Sequence, residues 1–181
     1  ANIGEYAFSD CNSLKSVILP KKLSIINNST FMMCKSLASI TIPKTVTSIG
    51  KQAFFNCTKL KKITIPNNVT VIGELCFGYC ISLKSITLSK NLTDIGDFAF
   101  LECTSLKTVA IPNNVSSIGK RTFARCSNLT KITILKNVTI IDDTAFEDCS
   151  SIVIYTTKGS NAETYAKDNS IEYKIIETNK K

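Results

Sequence analysis

The chain has no histidine and no tryptophan, and among its 22 basic residues only Arg121 and Arg125 are arginine. Without histidine there is no Ser-His-Asp or Cys-His catalysis and no His-ligated metal site. Neither a phosphate-cradling GxxxxGK nor a GxGxxG occurs. The fourteen acidic residues are scattered; Asp142–Asp143 and Glu147–Asp148 adjoin, but neither pair has calcium-loop spacing. These gaps predict a chain with no catalytic residue, no metal site and no cofactor, and so not an enzyme. No apolar run is long enough to span a membrane. The opening ANIGEYAF lacks the basic and apolar regions of a signal peptide. A net charge of +8 raises the question of nucleic acid, but arginine is the preferred residue for bidentate phosphate and base contacts. The strand-like segments also lack the aromatic platforms on which unpaired bases stack. No nucleic-acid partner is expected.

What the chain has in abundance is repetition, with a period of 23 residues. Isoleucine opens each unit at positions 3, 26, 49, 72, 95, 118 and 141. Phenylalanine follows at Phe8, Phe31, Phe54, Phe77, Phe100, Phe123 and Phe146, then cysteine at Cys11, Cys34, Cys57, Cys80, Cys103, Cys126 and Cys149. Leucine comes next, from Leu14 to Leu129, with Ile152 closing the series. No unit gains or loses a residue across these slots, which predicts one coil of a stack per unit. The fourteen phenylalanines and cysteines are expected to form a structural ladder.

Within a unit, LKKITIP alternates as a strand: Leu60, Ile63 and Ile65 point one way, Lys62 and Thr64 the other. All four prolines follow this run, where the missing N–H ends sheet pairing. Gly4, Gly50, Gly73, Gly96 and Gly119 recur in one slot, replaced by Asn27 and Asp142 in the other two units. Those three residue types tolerate positive φ, so the slot is read as a left-handed turn. The three-residue spacing Phe54–Cys57–Leu60 predicts a 3₁₀ or single helical turn. Val69 and Ile72 suggest a second short extended segment on the back. One unit cannot bury enough apolar surface to fold alone. Stacking supplies the core, with parallel strands ~4.8 Å apart on one face.

Eight cysteines invite a disulfide or zinc reading. Seven hold one slot between Phe and Leu, and Cys76 takes the small-residue slot of Ala7, Ala53, Ala99 and Ala145. A buried, reduced cysteine ladder is expected. Four sequons, at Asn68, Asn91, Asn114 and Asn137, read either as glycosylation sites or as one turn motif copied four times. After Cys149 the pattern changes. Ser160 with Glu163 is a capping-box signature, Ala162, Tyr165 and Ala166 share a helix face, and Ile171, Tyr173 and Ile175 alternate. The organisation predicted is repeats over 1–152 (six complete units from 3 to 140 plus a partial seventh), a strand-helix-strand cap over 153–176 and a frayed tail at 177–181. With no cap ahead of Ile3, an open apolar end is expected, with upstream repeats or a leader absent and association possible through that end.

The phrase IPNNVTVIGELCFGYCISLKSITL resembles the BspA-like class of leucine-rich repeats, over Ile3 to about Ile154. KGSNAETYAKDNSIEYK is similar to the terminal segment of bacterial surface members of that class. The resemblance implies a β-rich α/β solenoid, a right-handed leucine-rich repeat with a parallel concave sheet. It also implies a non-enzymatic cell-surface or secreted module for protein binding or adhesion, and defines no ligand-binding residue. Leu135 and Ser89 depart from the family's strand-ending proline.

Three functions are weighed: a protein-interaction or adhesion domain, a binder of acidic glycans, and a structural spacer. The candidate ligand-binding residues are Lys15, Lys61, Lys62, Thr64, Lys84, Thr87, Lys107 and Lys131, on the outward strand slots and the slot beside them. Lys44, Lys90 and Lys136 are placed on remote slots.

Overall fold

The computed structural model describes residues 1–177. Of the tail expected at 177–181, only Glu177 falls among them; the rest lies outside the described residues.

Two sets of strands run along a stack of coils. On the front are β3 (Lys62–Thr64), β5 (Ser85–Thr87), β7 (Thr108–Ala110), β9 (Lys131–Thr133) and β11 (Val153–Thr156), with β12 (Glu172–Ile175) at the end. They form one six-stranded sheet in the order β12-β11-β9-β7-β5-β3, parallel throughout. On the second side are the two-residue strands β1 (Ile25–Ile26), β2 (Ser48–Ile49), β4 (Val71–Ile72), β6 (Asp94–Ile95), β8 (Ser117–Ile118) and β10 (Ile140–Ile141). The first, second, third and fourth of these make a four-stranded parallel sheet, and β8 pairs with β10. Strand residues pair with those 23 positions on, as in Lys62↔Ser85 and Thr108↔Lys131.

The last coil breaks that count. Ile154 pairs with Ile132, an offset of 22, because one residue separates Ile152 from Ile154 where two separate Leu129 from Ile132. The constant period therefore holds up to Ile152 and shortens by one just after it. The front sheet also starts later than the repeat does. Ser16–Ile18 and Ser39–Thr41 carry the same alternation but are not strands. Only the rim bonds persist there, Ala38 N–H to the Lys15 carbonyl at 3.2 Å and Lys61 N–H to the Ala38 carbonyl at 3.4 Å. Three-residue strands hold few ladder bonds each, so pairing fades toward the sheet edge.

The glycine slot works differently from the left-handed turn expected of it. Among the described glycines only Gly159 has positive φ. A Cβ on Gly73 would sit 2.5 Å from the Lys51 nitrogen and 2.6 Å from the Gly50 carbonyl carbon. The slot is small because successive coils touch backbone to backbone there. The left-handed residues lie elsewhere: Gln52 and Asn56, Leu75 and Tyr79, Phe98 and Glu102, with φ between 54° and 59°. Each is an L-residue paying about 1–2 kcal/mol for that conformation. The return is a hydrogen bond to the next coil. The Gln52, Phe54 and Asn56 N–H groups donate to the Glu74, Cys76 and Gly78 carbonyls at 2.8–2.9 Å. The intervening N–H groups close three-residue turns, such as Cys57 to Phe54 at 3.2 Å and Leu60 to Cys57 at 3.0 Å. The Phe–Cys–Leu spacing thus forms a chain of turns, not a 3₁₀ helix.

Between the two sides lies the core. Phe8 to Phe146 stack ring on ring, with centroids 5.2–5.7 Å apart and planes within 10°. Beside them Cys34, Cys57, Cys80, Cys103, Cys126 and Cys149 each donate the thiol to the phenylalanine carbonyl of the coil before, at 3.0–3.2 Å. All eight cysteines are free and seven are buried; Cys11, in the first coil, is exposed. Cys34 has the coil of Cys11 upstream to cover it, whereas no described coil covers Cys11. At the far end α1 (Asn161–Asp168) buries Ala162, Tyr165 and Ala166, and the Tyr165 ring meets Phe146 edge-on at 5.9 Å.

Candidate functional site

The front sheet presents its outward slots as rows. Lys62, Ser85, Thr108 and Lys131 share one row. Thr64 pairs with Thr87, and Ala110 with Thr133, which in turn pairs with Tyr155. Short polar side chains thus floor most of the face. The one-residue contraction of the last coil puts Tyr155 into the row. There Lys131 Nζ lies 4.3 Å and Lys174 Nζ 5.8 Å from the ring centroid. Such contacts are worth about 0.5–1 kcal/mol at exposed sites.

The candidate lysines separate into two groups. Lys62, Thr64 and Thr87 line one groove of about 760 Å³. Lys15, Lys61, Lys84 and Lys107 are exposed on the entry rim of the strands, joined through backbone bonds such as Lys84 N–H to the Lys61 carbonyl at 2.9 Å. None of the four lines that groove. Lys44 and Lys90, expected on remote slots, do line it. They are carried there by the loop after the strand, which folds over the sheet end instead of away from it. Asn68 Nδ2 donates to the Lys44 carbonyl at 2.8 Å, and the Lys90 N–H donates to Asn67 Oδ1 at 3.1 Å. The carboxamides of three of the four sequons are therefore rungs between coils; Asn91 bonds the Asn67 carbonyl at 2.9 Å in the same way as Asn68 bonds Lys44, and Asn137 bonds the Asn113 carbonyl.

Charge is divided by face. The segments 15–22, 38–45, 61–68, 84–91, 107–114 and 130–137 carry eleven lysines (15, 21, 22, 44, 61, 62, 84, 90, 107, 131 and 136) and no acidic residue. All eleven are exposed. Among the described residues none of them forms an ion pair. The turns and back carry ten acids, from Glu5 to Asp148, against six basic residues. Both arginines are there and both are paired: Arg121 with Glu147 at 2.6 Å, Arg125 with Glu102 at 3.1 Å and Asp148 at 3.3 Å. This division was legible as the absence of Asp and Glu from one phase of the repeat, a signal that net charge conceals. Among the described residues there is no cluster of three or more His, Cys, Asp or Glu able to hold a metal. Among the described residues no helix is long and apolar enough to cross a membrane.

The repeat and its coil match known proteins. The BspA type leucine rich repeat region matches in six copies, over residues 1–78 and 24–153. The leucine rich repeat protein of T. pallidum (TpLRR) is similar in structure, with 25% identity and a TM-score of 0.78 over 96% of this chain and 78% of that one. A leucine-rich repeat protein from Bacteroides ovatus has 24% identity and a TM-score of 0.50, over 96% and 63%. The pneumococcal vaccine antigen PcpA shares the fold at 20% identity and a TM-score of 0.63, over 78% of this chain and 42% of that antigen. No curated protein matches the chain in sequence. With the motif in every coil and the family's pattern over most of its length, this chain belongs to the BspA type leucine rich repeat family.

Proposed function

We propose that the chain is a non-enzymatic adhesion and protein-interaction module of a bacterial cell surface, and that partners dock on the front sheet. The observation that carries this reading is the front face itself: the paired floor residues Thr64 with Thr87 and Ala110 with Thr133, with lysines around them that form no ion pair among the described residues. Repeat proteins use such extended faces for binding. The surface location is supported by membership of the BspA type repeat family. Within this reading the site comprises Lys62, Thr64, Thr87 and Lys131 on the sheet with Lys15, Lys61, Lys84 and Lys107 on its rim. Lys–Tyr contacts at Tyr155 extend it toward the cap.

The test is adhesion of the purified chain to wells coated with host extracellular-matrix proteins. Thr64→Phe with Thr87→Phe, which fills the floor, is expected to abolish adhesion. Lys35→Ala with Lys59→Ala, on the turn side, is expected to leave it intact. Equal adhesion by both variants would remove the front face from the reading.

A further inference from the structure

We infer, building on the front face as the recognition surface, that the groove over the first four coils binds a linear acidic polysaccharide. Two cavities adjoin there. One of about 400 Å³ is lined by Ile18, Lys21, Thr41 and Lys44 among others; the 760 Å³ groove continues it and shares Thr41 and Lys44. The smaller lies between Val17–Lys21 and Thr41–Thr45; the larger lies between Ser39–Thr41 and β3, where strand pairing is absent, with Ile40 and Ile63 in its wall, and runs on to Thr87 and Lys90. The result is a trough along the stack with Lys21, Lys44, Lys62 and Lys90 beside a floor of Thr41, Thr64 and Thr87.

Three features select the occupant. The first is sign: the segments 15–22, 38–45, 61–68 and 84–91, which line the trough, hold no acid, and none of their lysines is in an ion pair among the described residues. Low-dielectric walls lined by one sign of charge concentrate counter-ions of the other. The second is extent. Coils repeat at ~4.8 Å, which sets Lys44 and Lys90 roughly 10 Å apart along the axis. A ligand spanning them is a polymer with recurring charges, not a compact anion. Asn67 and Asn68 tie the Lys90 and Lys44 backbones to the coil between them, so the spacing is built in. The third is composition. The trough is lined by threonine, serine, asparagine and lysine beside an apolar wall. Its threonine hydroxyls both donate and accept, which suits sugar hydroxyls between charged groups.

The experiment measures binding of the full chain to heparin and, separately, to poly-glutamate, at several salt concentrations. Three charge-matched variants are compared: K44E/K62E/K90E in the trough, K61E/K84E/K107E on the rim, and K35E/K59E/K120E on the turn side. Circular dichroism establishes that each is folded. The trough variant is expected to weaken heparin binding on the order of a hundredfold, the rim variant by clearly less, and the turn-side variant is expected to leave it largely unaffected. Equal losses in all three would reduce the effect to net charge and overturn the trough. Loss confined to the rim variant would move the site and overturn it too. Tighter binding of poly-glutamate than of heparin would replace the glycan by an acidic polypeptide. Matrix adhesion that persists while wild-type chain ignores heparin would sink the glycan inference and leave the adhesion reading standing. Adhesion dependent only on the turn-side lysines would sink that reading whatever heparin does.

Discussion

A thiol buried beside a phenylalanine carbonyl is comfortable only while it keeps its proton. Burial, followed by the neighbouring thiols, pushes Cys34 up to about 11. Burial likewise pushes Cys149 up to about 11, and Cys57, Cys76, Cys80, Cys103 and Cys126 higher still. An unfolded cysteine ionises near 9.0. Because the folded values are raised, this stabilisation is complete below pH 9 and is lost as pH climbs toward the folded values. Each thiol ionised only in the unfolded chain costs about 1.4 kcal/mol per pH unit. The melting temperature is therefore expected to fall steeply between pH 9 and 11, with a shallower fall in Cys103→Ala/Cys126→Ala. An identical slope in that variant would dismiss the ladder as the cause. Glycine gives a second residue-scale test. In Gly73→Ala the new Cβ meets only backbone, which cannot step aside, so a loss of roughly 1–3 kcal/mol is expected in urea unfolding. At Gly4 nothing lies within 4 Å, and Gly4→Ala should be nearly neutral. A comparable loss at both sites would show that coil contact does not set the cost.

Among the elements, α1 begins where its sequence says it should. Ser160 is extended at φ −80° and ψ 158°, and its hydroxyl accepts the Glu163 N–H at 3.1 Å. The same oxygen lies 2.7 Å from the buried Thr156 hydroxyl, so one atom joins the cap to β11. Ser160→Ala is expected to cost about 1 kcal/mol or somewhat more, read from thermal melts. No change would mean that Tyr165 and the alanines seat the helix unaided. The Ser–x–x–Glu signature and the helical spacing of Ala162, Tyr165 and Ala166 made this element readable. Alternation did the same for β3, β5, β7 and β9. What alternation left unread was pairing. The Ser39–Thr41 segment has the pattern of β3 without its partner, since a ladder depends on neighbours and not on the segment alone. The left-handed residues were hidden for a related reason. Gln, Leu and Phe have no local preference for positive φ, and only the carbonyls of the following coil make Gln52, Leu75 and Phe98 adopt it.

For the molecule as a whole, the solenoid was legible because a fixed 23-residue count has few physical explanations other than a coil. The candidate site was legible only in part. Lys62, Thr64 and Thr87 follow from strand alternation, but the return of Lys44 and Lys90 to the same groove depends on how the loops after the strands fold. One feature of the stack also governs its mechanics. The inter-coil hydrogen bonds of both sides join one coil to the next, from Tyr6–Asn28 at one end to Val153–Thr130 at the other. The first coil and the cap lie at opposite ends of that column. A force pulling residues 1 and 177 apart therefore loads the coils in series and in line with these bonds. The column opens like a zipper, one coil at a time, because each coil is held chiefly by its neighbours. Every coil released adds 23 residues of slack, roughly 80 Å at about 3.5 Å per residue. Optical tweezers are expected to record a train of small, evenly sized extensions at low force; one abrupt rupture of the entire chain would contradict it. A stack built this way yields under tension by lengthening, and its two ends stay connected while the chain between them pays out.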